Sequence, residues 1–151
     1  MPKGSRRLPE RCAELIGLAD AVIHAGDFFG VSALEELESL CPVVHAVYGN
    51  VDEPALRRSL PQTLEVEVGV ETVGIIHDAG QAQGRLARLH RRFPQAAAVI
   101  FGHSHLPLHE EESGFQIFNP GSPTERRRAP RPSMGLLTGE KRGLVFEHVW
   151  L

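Results

Sequence analysis

Four apolar stretches of the chain each run into a side chain that can hold a cation. They read VIHAGD, ending at Asp27; VVHAVYGN, ending at Asn50; GIIHD, carrying His77; and VIFGHSH, carrying His103 and His105. Three of them place a glycine just before the polar residue, at Gly26, Gly49 and Gly102, which permits a tight turn and a close backbone approach. One carboxylate, one amide oxygen and three imidazoles suit Mn, Fe, Co, Ni or Zn better than Ca or Mg. Each residue taken singly has a plainer reading. Asp27 can cap the next turn and Asn50 can sit in a turn that tolerates its backbone. A lone strand histidine such as His24 or His45 is read as a packed or hydrogen-bonded core residue, and His77 alone divides evenly between the two readings. The His-x-His pair is stronger, because one short segment presents two rings. Five agreements of type and position together favour a metal site.

For these groups to meet, the stretches must be neighbouring strands of an open α/β sheet, where ligands gather beyond the carboxyl ends. The surrounding pattern supplies such strands. Leu8, Cys12, Leu15, Ile16 and Ala19 share a helical face, with Pro9 suited to a first turn, and a buried-strand pattern follows over residues 21–25. Ser32 with Glu35 reads as a capping box for a second helix, striped by Leu34, Leu37 and Cys41 and stopped by Pro42. Residues 43–48 are the next strand. Asp52, Glu53 and Pro54 read as the cap and first turn of a brief helix reaching Leu60, with Asp52 as the capping side chain. Leu64, Val66, Val68 and Val70 alternate with Glu65, Glu67 and Gly69, predicting a half-buried strand that turns near Glu71 and Thr72. Residues 73–76 return to His77. Ala82, Leu86, Leu89 and Phe93 mark a helix with arginines on its outer face, and residues 97–101 a further buried strand. Two hairpins close the chain, 108–112 with 115–118 and 135–138 with 144–150.

This αβαβ rhythm in 151 residues predicts a single layered α/β domain over residues 1–151. A hydrophobic content of 42% and a net charge of −3 describe an ordinary globular chain and argue against nucleic acid as a partner. No apolar run approaches the length of a membrane span, and the basic first eleven residues lack a signal-peptide core. Two isolated cysteines, Cys12 and Cys41, read as small buried hydrophobes in a reducing compartment, so the cytoplasm is the expected location.

The segments HAGD, GN-x-D, strand-terminal His77, GHSH and FNPGS, in this order, resemble the calcineurin-like metallophosphoesterase superfamily, and within it the small YfcE-like phosphodiesterase branch. The resemblance covers roughly residues 8–138. It implies a four-layer α/β/β/α sandwich and a two-metal centre, manganese foremost and nickel, iron, cobalt or zinc as alternatives. Asp27 would bridge the ions, Asn50, His77 and His103 would serve one, and His105 the other. Residues 119–122 would form a turn shaping the edge of the site. The implied reaction is hydrolysis of a small phosphoester, a diester before a monoester, with Asn50 also touching a phosphoryl oxygen.

Two departures qualify that expectation. The family opens with a central strand ending in Asp-x-His, which supplies two more ligands, whereas this chain opens on a helix. The first central strand of the fold is therefore expected to be missing, leaving two unpaired sheet edges and a second metal held only by Asp27 and His105. A late-called start or a clipped chain is the reading favoured over true loss, since every other element survives. The second departure is Val51, where many relatives carry a histidine; valine donates no proton, and Asp52 is the neighbouring group that could help, with the helix cap as its favoured reading. Arg126, Arg127, Arg128 and Arg131 follow the NPGS turn, as a solvated loop or as charges that steer an anion. The leading reading is a phosphodiesterase; the alternative is a weakly active or inactive scaffold on the same fold, as the superfamily's retromer subunit is taken to be.

Overall fold

A computed structural model describes residues 7–151. Helix α1 (Glu10–Leu18) buries Cys12 and Ile16, as its spacing predicts; Ala19 falls just beyond its end and is exposed. Strand β1 (Val22–His24) pairs in parallel with β2 (Val44–Ala46), and α2 (Val31–Leu40) connects them. Helix α3 (Pro54–Ser59) follows β2, with proline in its first turn.

A five-stranded sheet holds most of the remainder: β3 (Thr63–Val68), β4 (Glu71–Ile76), β5 (Ala98–Phe101), β6 (Leu108–Glu112) and β7 (Phe115–Asn119), in the order β3-β4-β5-β7-β6. Strands β4, β5 and β7 run parallel, while β3 and β6 are antiparallel edges. Helix α4 (Arg85–Arg92) crosses between β4 and β5. The chain closes with the hairpin β8 (Ser133–Glu140) and β9 (Gly143–Trp150).

Three apolar layers bind these elements into the expected four-layer sandwich. Alternation along a strand sends successive residues to opposite faces, so Val73, Ile75, Ala98 and Ile100 meet Ile23, Val47, Leu137 and Phe146 between the sheets. From the same strands Ile76, Val99 and Phe101 face outward onto Leu89 and Phe93 of the α4 side. The third layer joins α1, α2 and α3 through Cys12, Ile16, Leu37 and Leu56, with Phe28 and Ala46 beside them.

The inner layer is divided. Among the described residues β1 pairs only with β2, and β8 only with β9. A cavity of about 750 Å³ lies between the two pairs, lined by Val22 and Ile23 on one side, Met134 and Leu136 on the other, and Ile100 and Phe118 of the five-stranded sheet. Among the described residues the inner layer is therefore discontinuous.

Several local expectations need correction. Helix α2 starts two residues early for a Ser32–Glu35 capping box: its N-cap is Gly30, with no side-chain cap. Instead Glu53, from the next loop, accepts the Val31 N–H at 2.9 Å. Asp52 does not cap α3, whose N-cap is Glu53 without a side-chain hydrogen bond. The turn after β3 is at Gly69 and Val70, because Gly69 takes the positive φ of 63° that a two-residue hairpin loop demands. Helix α4 begins at Arg85, so Ala82 precedes it, and Arg85 lies 4.9 Å over the Phe101 ring instead of facing solvent.

Candidate metal centre

The carboxyl ends of β1, β2, β4 and β5 deliver Asp27, Asn50, His77 and His103 to one place. His77 is buried, and its Nδ1 lies 2.7 Å from the Ala25 carbonyl oxygen. A neutral His77 therefore carries its proton on Nδ1 and donates it there, leaving Nε2 as a bare lone pair. That Nε2 faces Asn50 Oδ1 at 2.9 Å and Asp27 Oδ2 at 3.4 Å. His103 Nδ1 completes the group, 3.1 Å from Asn50 Oδ1 and 3.2 Å from His77 Nε2.

The cluster is rich in acceptors. With its proton on Nδ1, His77 Nε2 lies close to two oxygen acceptors, Asn50 Oδ1 and Asp27 Oδ2, an arrangement that a cation among them would relieve. Ligands about 2.1 Å from an ion, set at tetrahedral or octahedral angles, lie roughly 3.0–3.4 Å apart. The observed spacings fall in or beside that range, so the donor set fits a divalent metal. The ligating atoms of Asp27, His77 and His103 all lie within 4.8 Å of one another, forming a candidate metal-binding group.

Backbone strain and two glycines bring these groups so close. Asp27 and His103 sit at φ of 64° and 65°, a left-handed conformation costly for most side chains. A Cβ added to Gly49 would lie 2.1 Å from Asp27 Oδ1, and one added to Gly26 would lie 2.8 Å from His77 Nδ1. The two loops pass through each other's side-chain space, and only glycine leaves room.

Asp52 locks the two loops together. It is buried, with Oδ1 accepting from Phe29 N–H at 2.8 Å and Oδ2 from Asp27 N–H at 3.1 Å and Gly49 N–H at 2.7 Å. Three backbone donors on one carboxylate hold the β1 and β2 loops in register. In turn, Val51 N–H donates to Asp27 Oδ1 at 3.2 Å. Sequence reasoning missed this role for Asp52. The available signal was an acidic residue three places after the Gly49 turn.

His105 stands apart from the tight group. Its Nδ1 lies 2.7 Å from the Glu125 carbonyl oxygen, which turns Nε2 outward as the free nitrogen. Burial, the largest influence, lowers its pKa from the ordinary histidine range and keeps the ring neutral. It shares a small cleft with Asp27, on the side of that residue where the resemblance would put a second ion. The NPGS turn braces this side: buried Asn119 donates from Nδ2 to Gly102 O and Ser104 Oγ, and its Oδ1 accepts from Gly121 N–H. His24 and His45 are not in the candidate group. His24 Nδ1 accepts the Gly26 N–H at 3.2 Å and its ring stacks on Phe28, with centroids 3.7 Å apart, and His45 lies in the β1–β2 ladder opposite Ile23.

The profile of the calcineurin-like phosphoesterase superfamily domain matches residues 4–142. A probable metallophosphoesterase of Methanothermobacter thermautotrophicus is 31% identical over 144 residues, covering 93% of this chain and 83% of the relative. Of the solved structures, wild-type Vps29 of Entamoeba histolytica complexed with zinc shares the fold at a TM-score of 0.76 and 24% identity, over 99% of this chain and 93% of that one. A structure described as a novel archaeal phosphodiesterase gives a TM-score of 0.73 at 21% identity, over 93% and 90%. The chain belongs to the calcineurin-like phosphoesterase superfamily. It is thus a member of a metal-dependent hydrolase family, and its fold is that of the Vps29-like neighbours.

Proposed function

We propose that this chain is a phosphodiesterase in which Asp27, Asn50, His77 and His103 hold a divalent ion, manganese foremost. The observation that carries the reading is His77 Nε2 facing Asn50 Oδ1 at 2.9 Å and Asp27 Oδ2 at 3.4 Å, with His103 Nδ1 3.1 Å from the same Asn50 oxygen. A bound ion would supply positive charge to activate a water and to stabilise the departing oxygen. The chain's own residues supply position. The Ala25 carbonyl fixes the His77 tautomer, Asp52 fixes the loop that carries Asp27, and the Asn50 amide nitrogen can donate to a phosphoryl oxygen while its Oδ1 faces the cluster. Val51 offers no proton to a leaving group, so the reading favours diesters whose leaving group departs as a stable anion. His105 would belong to a second, weaker ion on the far side of Asp27. The cytoplasm is the compartment we propose, since Cys12 and Cys41 are both free thiols and buried.

Titration calorimetry with Mn²⁺ tests the reading, paired with hydrolysis of bis(p-nitrophenyl) phosphate. One tight site is expected, lost by roughly 100-fold or more in Asp27→Asn and His77→Ala, with diesterase activity falling in parallel. Two tight sites would refute the assignment of His105. Tight binding without turnover would favour the scaffold, a reading to which the inert Val51 lends support.

A further inference from the structure

The ligand cluster reaches solvent at Asn50, the exposed member of the group, so a substrate arriving there meets what stands beside Asn50. Arg57, an exposed residue of α3, is that neighbour. Its Nε donates to the Asp52 carbonyl at 3.1 Å and its Nη2 to the Asn50 carbonyl. The guanidinium also lies 5.9 Å from the centroid of the Tyr48 ring, within reach of a cation–π contact. Holding an exposed arginine in this way costs about 2 kcal/mol of rotamer entropy. Its remaining N–H groups, two on Nη1 and one on Nη2, form an end-on fork that matches two phosphate oxygens. No carboxylate of the chain balances that charge among the described residues, whose ion pairs are Arg11 with Glu14, His77 with Asp27 and Arg85 with Glu110. The nearest acids in sequence are committed elsewhere: Asp52 accepts three backbone N–H groups, and Glu53 accepts that of Val31. Arg57 is a placed cation, and it takes no part in lining the cleft beside His105.

We propose that Arg57 sets the substrate class by receiving a second phosphate group, one carried on an arm of the diester cleaved at the cluster. The inference rests on the phosphodiesterase reading and deepens it. The scissile phosphate belongs where the Asn50 side chain faces His77 and His103, while Arg57 grips the main chain of that same residue. Two anion contacts so placed suit a diester whose arm ends in its own phosphate, as in a nucleoside phosphorylated at both ends. Net charge does not explain such a preference, because a chain at −3 repels the more anionic substrate. Arg58 provides the contrast. It is exposed on the same helix, yet among the described residues it has neither of the carbonyl bonds that place Arg57.

The test uses a matched pair on the Mn²⁺-loaded full chain: thymidine 5′-(p-nitrophenyl phosphate) with and without a 3′-phosphate. The wild-type chain should favour the 3′-phosphate form by about five- to tenfold in kcat/KM, the scale of one charge-assisted contact at an exposed site. Added salt should shrink that ratio. A ratio near one in the wild type would overturn the proposal. Arg57→Ala should bring the ratio close to one; any loss through the Asn50 loop is shared by both esters and cancels. Arg57→Gln, which keeps an amide donor for the loop carbonyls without the charge, should do the same with Mn²⁺ affinity nearer the parent's. Arg58→Ala should leave the ratio within about twofold, and an equal fall there would reduce the effect to general charge and overturn the placed contact. Cleavage of both esters at a ratio untouched by either Arg57 variant would overturn the contact and leave the hydrolase standing. Where neither ester is cleaved, calorimetry with thymidine 3′,5′-bisphosphate against thymidine 5′-monophosphate decides without turnover. A gap in affinity that Arg57→Gln closes would keep the contact and sink the hydrolase, whereas equal affinities would sink both.

Discussion

His77 and His103 leave the ends of β4 and β5, whose residues are buried almost throughout; all four of β5 are. Asp27 and Asn50 leave β1 and β2, three-residue strands that are mostly half-buried and belong to the divided layer. The two sheets thus each contribute two residues to one cluster from very different supports. On the five-stranded side, register and packing fix the histidines: β5 has a parallel neighbour on either side and apolar layers on both faces. On the other side the ladder is too short to do this, and a buried carboxylate takes its place. Asp52 holds the β1 and β2 loops through three backbone N–H groups, a polar cross-link where the opposite sheet uses strands.

The comparison can be broken most forcefully at Asp52. Asp52→Ala would strand three N–H groups at the junction of the loops, costing about 4 kcal/mol at roughly 1–3 kcal/mol for each buried unsatisfied donor. Mn²⁺ affinity should drop roughly 10- to 100-fold, as for residues that orient ligands without touching the ion. An affinity within twofold of the parent, measured by calorimetry on the folded variant, would mean that the short strands suffice. Next in size is a matched pair of core truncations. Ile75 of β4 is fully buried, and Ile23 of β1 packs against the same apolar layer while only partly buried. Ile75→Ala should cost about 3 kcal/mol and Ile23→Ala about half that, since loss scales with atoms buried and with the cavity left behind. Urea unfolding midpoints report the difference, and equal losses would show the divided layer to be packed as tightly as the continuous one.

The same contrast explains what was legible in the sequence. Alternation and buried runs located every strand of the five-stranded sheet, because residues such as Val73, Ile75, Val99 and Phe101 have their faces dictated by layers on both sides. The resemblance carried the sandwich, and spacing carried the convergence of Asp27, Asn50, His77 and His103. What escaped were long-range polar contacts at loops. Asp52 and Glu53 look like local caps because their positions before Pro54 suit that role, yet their oxygens bond to backbone more than twenty residues earlier. Arg127 was one of four equivalent charges until its hydrogen bond to the His103 carbonyl distinguished it. Nothing in local periodicity encodes a partner reached only through the tertiary fold.

The smallest effect concerns acid. His24 lies in β1, on the weaker side, with its Nδ1 accepting the Gly26 N–H and so committed to an unprotonated nitrogen. Burial, first, and the neighbouring His77 hold its pKa well below the ordinary 6.5. The unfolded chain therefore takes up a proton near pH 6.5 that the folded chain resists. Stability on this account is fully present above about pH 6.5 and is lost as pH falls through the region beneath it. His24→Gln keeps an acceptor for Gly26 and cannot titrate, so it should show a shallower fall in urea midpoint between pH 7.5 and 5.5 than the parent. Identical slopes would show that the acid sensitivity resides outside His24.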